Sequence, residues 1–371
     1  MIRRIFTLSC IILLSVFVIS CNKDDDNNTD DNNNNTTTEV VKDYSGSASY
    51  GDLVTFSINQ TNSTYSVDNE TTGAKSSGTY SVMTGNFEGV YQVTAGGNDF
   101  YAIELDDKII AANFPTGNPM NTISFGVSSD IDNSTNLSNI SGDYIWIIID
   151  ENGINDATTL REWGLLTVLS DGNWYLKSYA SGDGLTSETP TMSPIDLPAG
   201  SLPLTNTTGD DMGTYEINGT HKERLLVHTD VDLTGFVYAT ANEGAFILDR
   251  GTGRGFLFGL KVSSSSVTIA NLANTYKFVD VWSDGGTGAG NYTISSDGTT
   301  NWSHIDESGT TDTGSFNLIQ CTNDLHNVFY AETSMGGESL TVYCILLDNM
   351  IMHFAFNDSG EFKSFGAGAK I

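Results

Sequence analysis

Turn clusters of Gly, Asn, Asp and Ser interrupt the chain roughly every 8–12 residues, and the stretches between them are rich in aromatic and β-branched side chains. Leu53–Ile58, Tyr276–Trp282 and Gly290–Ile294 are examples. No apolar stripe at helical spacing persists for three turns, so the core has to be built from short strands. Asp-Gly pairs at 171–172, 183–184 and 297–298 suit hairpin turns because they tolerate positive φ. Charged residues make up only 17% of the chain, which also points away from helical bundles.

The strands are organised as repeats. A Gly-Thr/Ser-aromatic start recurs at Gly78-Thr79-Tyr80, Gly213-Thr214-Tyr215 and Gly314-Ser315-Phe316. A Leu-Asp turn follows at Leu105-Asp106, Leu248-Asp249 and Leu347-Asp348, and a closing Phe-Gly at Phe125-Gly126, Phe258-Gly259 and Phe365-Gly366. Three markers in fixed order define three units, 44–128, 142–263 and 271–371, the second carrying an insertion at 181–211. Each unit is expected to be an antiparallel meander that closes into a small barrel and loses its exposed edges. The run from Gly142-Asp143-Tyr144 through Ser170-Asp171-Gly172 to Gly213-Thr214-Tyr215 resembles the lipocalin-like barrels of exported bacterial proteins. The fold class is thus all-β, with three tandem units. The alternative is one six-bladed propeller, which the long repeat period disfavours.

Residues 1–20 have the anatomy of a signal peptide: Arg3 and Arg4, an apolar run from Ile5 to Ile19, then Ser20 and Cys21. Val18-Ile19-Ser20-Cys21 resembles the lipobox of bacterial lipoproteins, which implies a lipidated Cys21 after cleavage. Lys23, Asp24, Asp25 and Asp26 resemble the export signal of Bacteroidetes surface lipoproteins, which implies an outer-membrane anchor and an outward-facing protein. Residues 21–43 are acidic and Asn-rich, too polar to bury a core, and read as a disordered tether.

With 46 acidic against 16 basic side chains, the chain lacks the cations that displace counterions from nucleic acid. The same charge argues against docking on anionic lipid. No G-x-S-x-G is present, and the histidines at 221, 228, 304, 326 and 353 have no paired metal spacing. No cofactor is expected. The one loop with closely spaced oxygen ligands for Ca²⁺, Asp150–Asp156, misses EF-hand spacing. The Gly-rich run Asp284–Gly290 reads as a flexible loop. Cys321 and Cys344 are candidates for a disulfide between strands, against two reduced, buried thiols.

Function is expected to be non-catalytic binding of an extracellular ligand, a glycan first. An adhesion or structural repeat protein and a polysaccharide-degrading enzyme are the alternatives. Trp146, in Tyr144–Ile149, is assigned to the core. Trp163 and Trp174 flank the insertion-bearing hairpin and offer flat apolar faces for a sugar ring. Arg250 and Arg254 share one Gly-rich turn, where guanidinium forks suit an acidic polysaccharide. All four arginines after the signal peptide lie in the second unit, so the ligand is expected there.

Overall fold

The computed structural model describes residues 39–48, 53–70, 72–105, 108–114, 123–128, 141–149, 163–170, 173–179, 195–196, 200–201, 204–206, 214–217, 235–239, 244–249, 256–262, 267–321, 327–335 and 337–370. They belong to one compact unit, Glu39–Ile371. Cys21, Lys23, Asp24, Asp25 and Asp26 lie outside the described residues, as do Arg250, Arg254 and the Asp150–Asp156 loop. Among the described residues no helix is long and apolar enough to cross a membrane.

The first sheet holds β1 (Val41–Ala48), β2 (Leu53–Asn59), β3 (Thr64–Asn69), β4 (Ala74–Thr79), β5 (Ser81–Val82), β6 (Tyr91–Ala95), β7 (Asn98–Leu105), β8 (Ile109–Ala112) and β9 (Ser124–Ser128). Its order is β4-β3-β2-β1-β9-β8-β7-β6-β5. The middle sheet holds β10 (Gly142–Ile149), β11 (Trp163–Val168), β12 (Asn173–Tyr179), β13 (Ile195–Asp196), β14 (Gly200–Ser201), β15 (Leu204–Asn206), β16 (Thr214–Ile217), β17 (Gly235–Ala239), β18 (Gly244–Asp249) and β19 (Phe256–Lys261). The third holds β20 (Thr275–Trp282), β21 (Thr287–Ile294), β22 (Thr299–Asp306), β23 (Thr311–Asn317), β24 (Ile319–Gln320), β25 (Val328–Met335), β26 (Glu338–Leu346), β27 (Met350–Asn357) and β28 (Phe362–Lys370). Its order, β23-β22-β21-β20-β28-β27-β26-β25-β24, repeats that of the first. In every sheet the first strand pairs antiparallel with the last, which bends the meander towards closure. Sheets of nine and ten strands rule out the four-stranded blades of a propeller.

The first and third sheets wind into nearly closed barrels, called here barrel 1 and barrel 3. Strand alternation gives each a filled interior and an outward apolar face. On β20, Tyr276 and Phe278 point into barrel 3, whereas Val279 and Val281 point out. The outward faces of all three sheets meet in one core. Phe125 and Phe258 stack at 4.2 Å between centroids, and Phe365 stands edge-on to both at 5.9 Å. These are the three Phe-Gly phenylalanines, one from the last strand of each sheet. The repeat marker is therefore the residue that joins the units.

The other two markers correspond only between barrels 1 and 3. In the middle sheet Thr214-Tyr215 lie on β16, the partner of β17, rather than on the strand matching β4 and β23. Leu248-Asp249 likewise end β18, one strand later than Leu105 on β7. The insertion accounts for part of this shift. Its described pieces are edge strands: β13 and β14 pair with β12, and β15 pairs with β16.

One expectation fails here, and one open alternative is decided. Asp284–Gly290 is a tight turn leading into β21, not a flexible loop. Cys321 and Cys344 are free thiols that face different spaces, the common core and the barrel 3 interior, so no bridge links them. Burial raises both thiols, Cys321 to about 12.

Candidate functional site

Trp163, the first sequence candidate, is 1% exposed and packs on Tyr343 and Phe354 of barrel 3 at 5.1 Å. It is a core residue and offers no face to a ligand. The backbone of Trp174 pairs with Val168 and Gly200 inside the middle sheet. Trp146 is fully buried.

The chemistry gathers instead inside barrel 3, at the end where β20 finishes. Asp280, 2% exposed, points inward. One carboxylate oxygen meets His304 Nε2 at 3.0 Å, and the other accepts the Trp282 indole N–H at 3.1 Å. Burial works to lower the His304 pKa, but the Asp280 carboxylate outweighs it and holds the imidazole above its ordinary value. His353, 2% exposed on β27, lines the same space, and its Nδ1 has no hydrogen-bond partner among the described residues. Burial lowers its pKa to about 4, so this ring is neutral at neutral pH. Trp302 and Met335 complete the mouth, and Phe278 and Tyr292 line the wall. The opening encloses about 440 Å³ of non-atom space, its solvent mouth included. Within it there is room for roughly two water-sized groups.

Glycines make this crowding of rings feasible. A Cβ at Gly288 would collide with His304, at Gly290 with Phe278, at Gly314 with Trp302 and at Gly366 with His353. Gly290 lies opposite Phe278, Gly314 opposite Trp302, and Gly366 opposite His353. Each ring thus lies across a bare stretch of the neighbouring strand. The signal was present in the sequence: glycines at 286, 288 and 290 recur with the period of a strand, not of a loop.

Barrel 1 supports the site from behind. The Asn113 amide N–H group donates to the backbone carbonyls of Asp280 (3.3 Å) and Gly288 (3.0 Å). Tyr101 Oη donates to the Asp306 carbonyl at 2.9 Å, and Lys277 Nζ to the Glu88 carbonyl. Among the described residues no three His, Cys, Asp or Glu side chains gather as a metal ligand set.

No family model matches the sequence, and no curated protein matches it. Among solved structures the chain is similar to a point mutant of transferrin binding protein B, a vaccine antigen from Haemophilus parasuis. Identity there is 10% over 91% of this chain and 77% of that one, with a TM-score of 0.29. For the transferrin binding protein B of serogroup B Neisseria meningitidis the values are 9%, 90%, 76% and 0.28. A DUF3598-family protein of unknown function from Nostoc punctiforme matches at 10% identity, over 64% of this chain and all of that one, with a TM-score of 0.21. Likeness at these scores carries no weight for function.

Proposed function

We propose that this chain is a non-catalytic cell-surface lipoprotein that binds an extracellular ligand, a glycan first, in the mouth of barrel 3. Cys21 carries the lipid in the outer membrane, the Lys23–Asp26 run directs the protein outward, and residues 21–38 hold the folded part off the bilayer. The expected tether end at residue 43 is too late, because β1 already begins at Val41. One observation carries the binding reading. The buried imidazole of His353, edge-on to Phe278 and Tyr292, leaves its Nδ1 without a hydrogen-bond partner beside an opening walled by Trp282 and Trp302. A buried polar atom left unpaired costs about 1–3 kcal/mol, and an occupant's hydrogen bond removes that cost. The two indoles offer a sugar ring flat apolar area beside polar partners. Electrophoresis of the full-length chain through gels containing polysaccharides tests this reading. Retardation that Trp302→Ala abolishes, with the melting temperature kept, supports it. Retardation unchanged in Trp302→Ala but lost on changes in 142–263 overturns it.

A second reading, a structural surface repeat protein, is favoured by the burial of Trp163 and by the shared phenylalanine core. Failure of every polysaccharide to retard the chain would favour it.

A further inference from the structure

We infer that the barrel 3 mouth selects a positively charged nitrogen, so that its sugar ligand is an amino sugar with a free amine. This rests on the binding reading above and adds the charge of the ligand.

The first argument is the rim. The turns at this end of barrel 3 carry Asp284, Glu307, Asp312, Glu338, Asp358 and Glu361. They share one end because β20, β22, β25 and β27 all finish there and β21, β23, β26 and β28 all start there. Lys363, at the start of β28, is the single Lys or Arg beside those turns among the described residues, and Glu338 (2.9 Å) and Glu361 (3.5 Å) both hold it. An opening ringed by one sign of charge concentrates ligands of the opposite sign. The whole chain, at a net charge of −30, adds to that field.

The second argument lies inside. An ammonium group is about the size of a water and fits the free space of the cavity, where a sugar ring does not. Its three N–H donors need acceptors. Each Asp280 oxygen accepts one hydrogen bond and, as a carboxylate oxygen, has a second lone pair. Neutral His353 supplies a further acceptor when its proton sits on Nε2 and does not repel a cation, whereas a protonated His304 does, so the selection is expected where His304 is neutral. The aromatic walls add the attraction of ring faces for a cation. The ring of the sugar then stays at the mouth, against Trp302 and Trp282. An acetylated amine has lost both the charge and two donors.

Calorimetry of the full-length chain in detergent with glucosamine, N-acetylglucosamine, glucose and ethanolamine, a primary ammonium without a sugar ring, tests this. Glucosamine is expected to bind roughly tenfold to a hundredfold more tightly than N-acetylglucosamine or glucose. Its affinity should fall as salt is raised, while that of glucose holds. Asp280→Asn should erase the difference between glucosamine and glucose. If that variant does not fold, the salt dependence of the unaltered chain decides alone. Equal affinity for all three sugars overturns charge selection and leaves the glycan reading standing. Binding of ethanolamine without any sugar keeps charge selection and removes the glycan reading. No binding of any of the four overturns both.

Discussion

Barrels 1 and 3 share a strand order, and each turns one carboxylate inward, with opposite consequences. In barrel 1, Glu104 is fully engaged. Tyr44 Oη donates to it at 2.5 Å, Tyr91 Oη at 3.0 Å, and Lys42 Nζ at 3.2 Å. Gln60 in turn donates to Tyr91. In barrel 3, Asp280 holds His304 and Trp282 beside an imidazole without a partner, at an open mouth. The register sharpens the contrast. Opposite the glycine of each Phe-Gly pair stand Gly46 in barrel 1, Trp146 in the middle sheet and Asp280 in barrel 3. One scaffold position thus holds bare backbone in close approach to its neighbour, an indole, or a carboxylate. A buried carboxylate is structural when every partner is in place and becomes a binding feature when capacity is left over.

The contrast assumes that both barrels are fixed to one core, and the largest expected effect tests that. Phe258→Ala should cost about 3–5 kcal/mol. It should lower one common melting transition seen by tyrosine signals of barrel 1 and tryptophan signals of barrel 3. Separate transitions, with barrel 1 unmoved, would make the barrels independent.

The next effect is pH dependence, which barrel 3 should have through its histidines. His353 is held near 4 against an ordinary 6.5, so the unfolded chain binds more protons between those values. Stability therefore falls as pH drops from 6.5 towards 4, by about 3 kcal/mol. His304 has the opposite sign. Its raised pKa contributes stability present in full below 6.5 and lost as pH rises through the folded value. The contribution of the pair should peak near neutrality. His353→Leu should flatten the acid limb in denaturant titrations; an acid limb left unchanged in that variant would contradict the assignment.

Smaller effects separate the two carboxylates. Glu104→Gln breaks a complete network and strands Lys42, at about 2 kcal/mol. Asp280→Asn keeps an acceptor for one partner and should cost less than about 1 kcal/mol while removing charge from the mouth. Urea unfolding of both variants checks the order, and the reverse order would break the comparison. The smallest effect is Asn113→Ala, at about 1 kcal/mol. Its signature should be weaker ligand binding in barrel 3 from a change in barrel 1, because Asn113 positions the Asp280 backbone. Unaltered binding in that variant would leave Asn113 a purely structural link.

The strands and the Phe-Gly repeat were legible because both are local patterns of residue type and period. That the three phenylalanines meet was not, since nothing local says which face of a closing strand turns outward. Trp163 looked like a stacking platform because a hairpin tryptophan beside an insertion reads the same whether it faces solvent or a second sheet. Asp280, His304 and His353 lie on β20, β22 and β27, and only barrel closure brings them together. No motif spacing could have shown that. The alternating glycines at 286, 288 and 290 were the available clue, obscured by the habit of reading glycine runs as loops.

The most direct test of the central claim, that the Asp280 end of barrel 3 takes a ligand while the fully engaged Glu104 of barrel 1 does not, is a ligand titration followed by the side-chain NMR signals of the five histidines and of the tyrosines. Glucosamine should move the imidazole signals of His304 and His353 in step with binding and leave the Tyr44 and Tyr91 rings of barrel 1 unchanged. Saturable binding that leaves both imidazoles still, or that moves Tyr44 and Tyr91 instead, would contradict it.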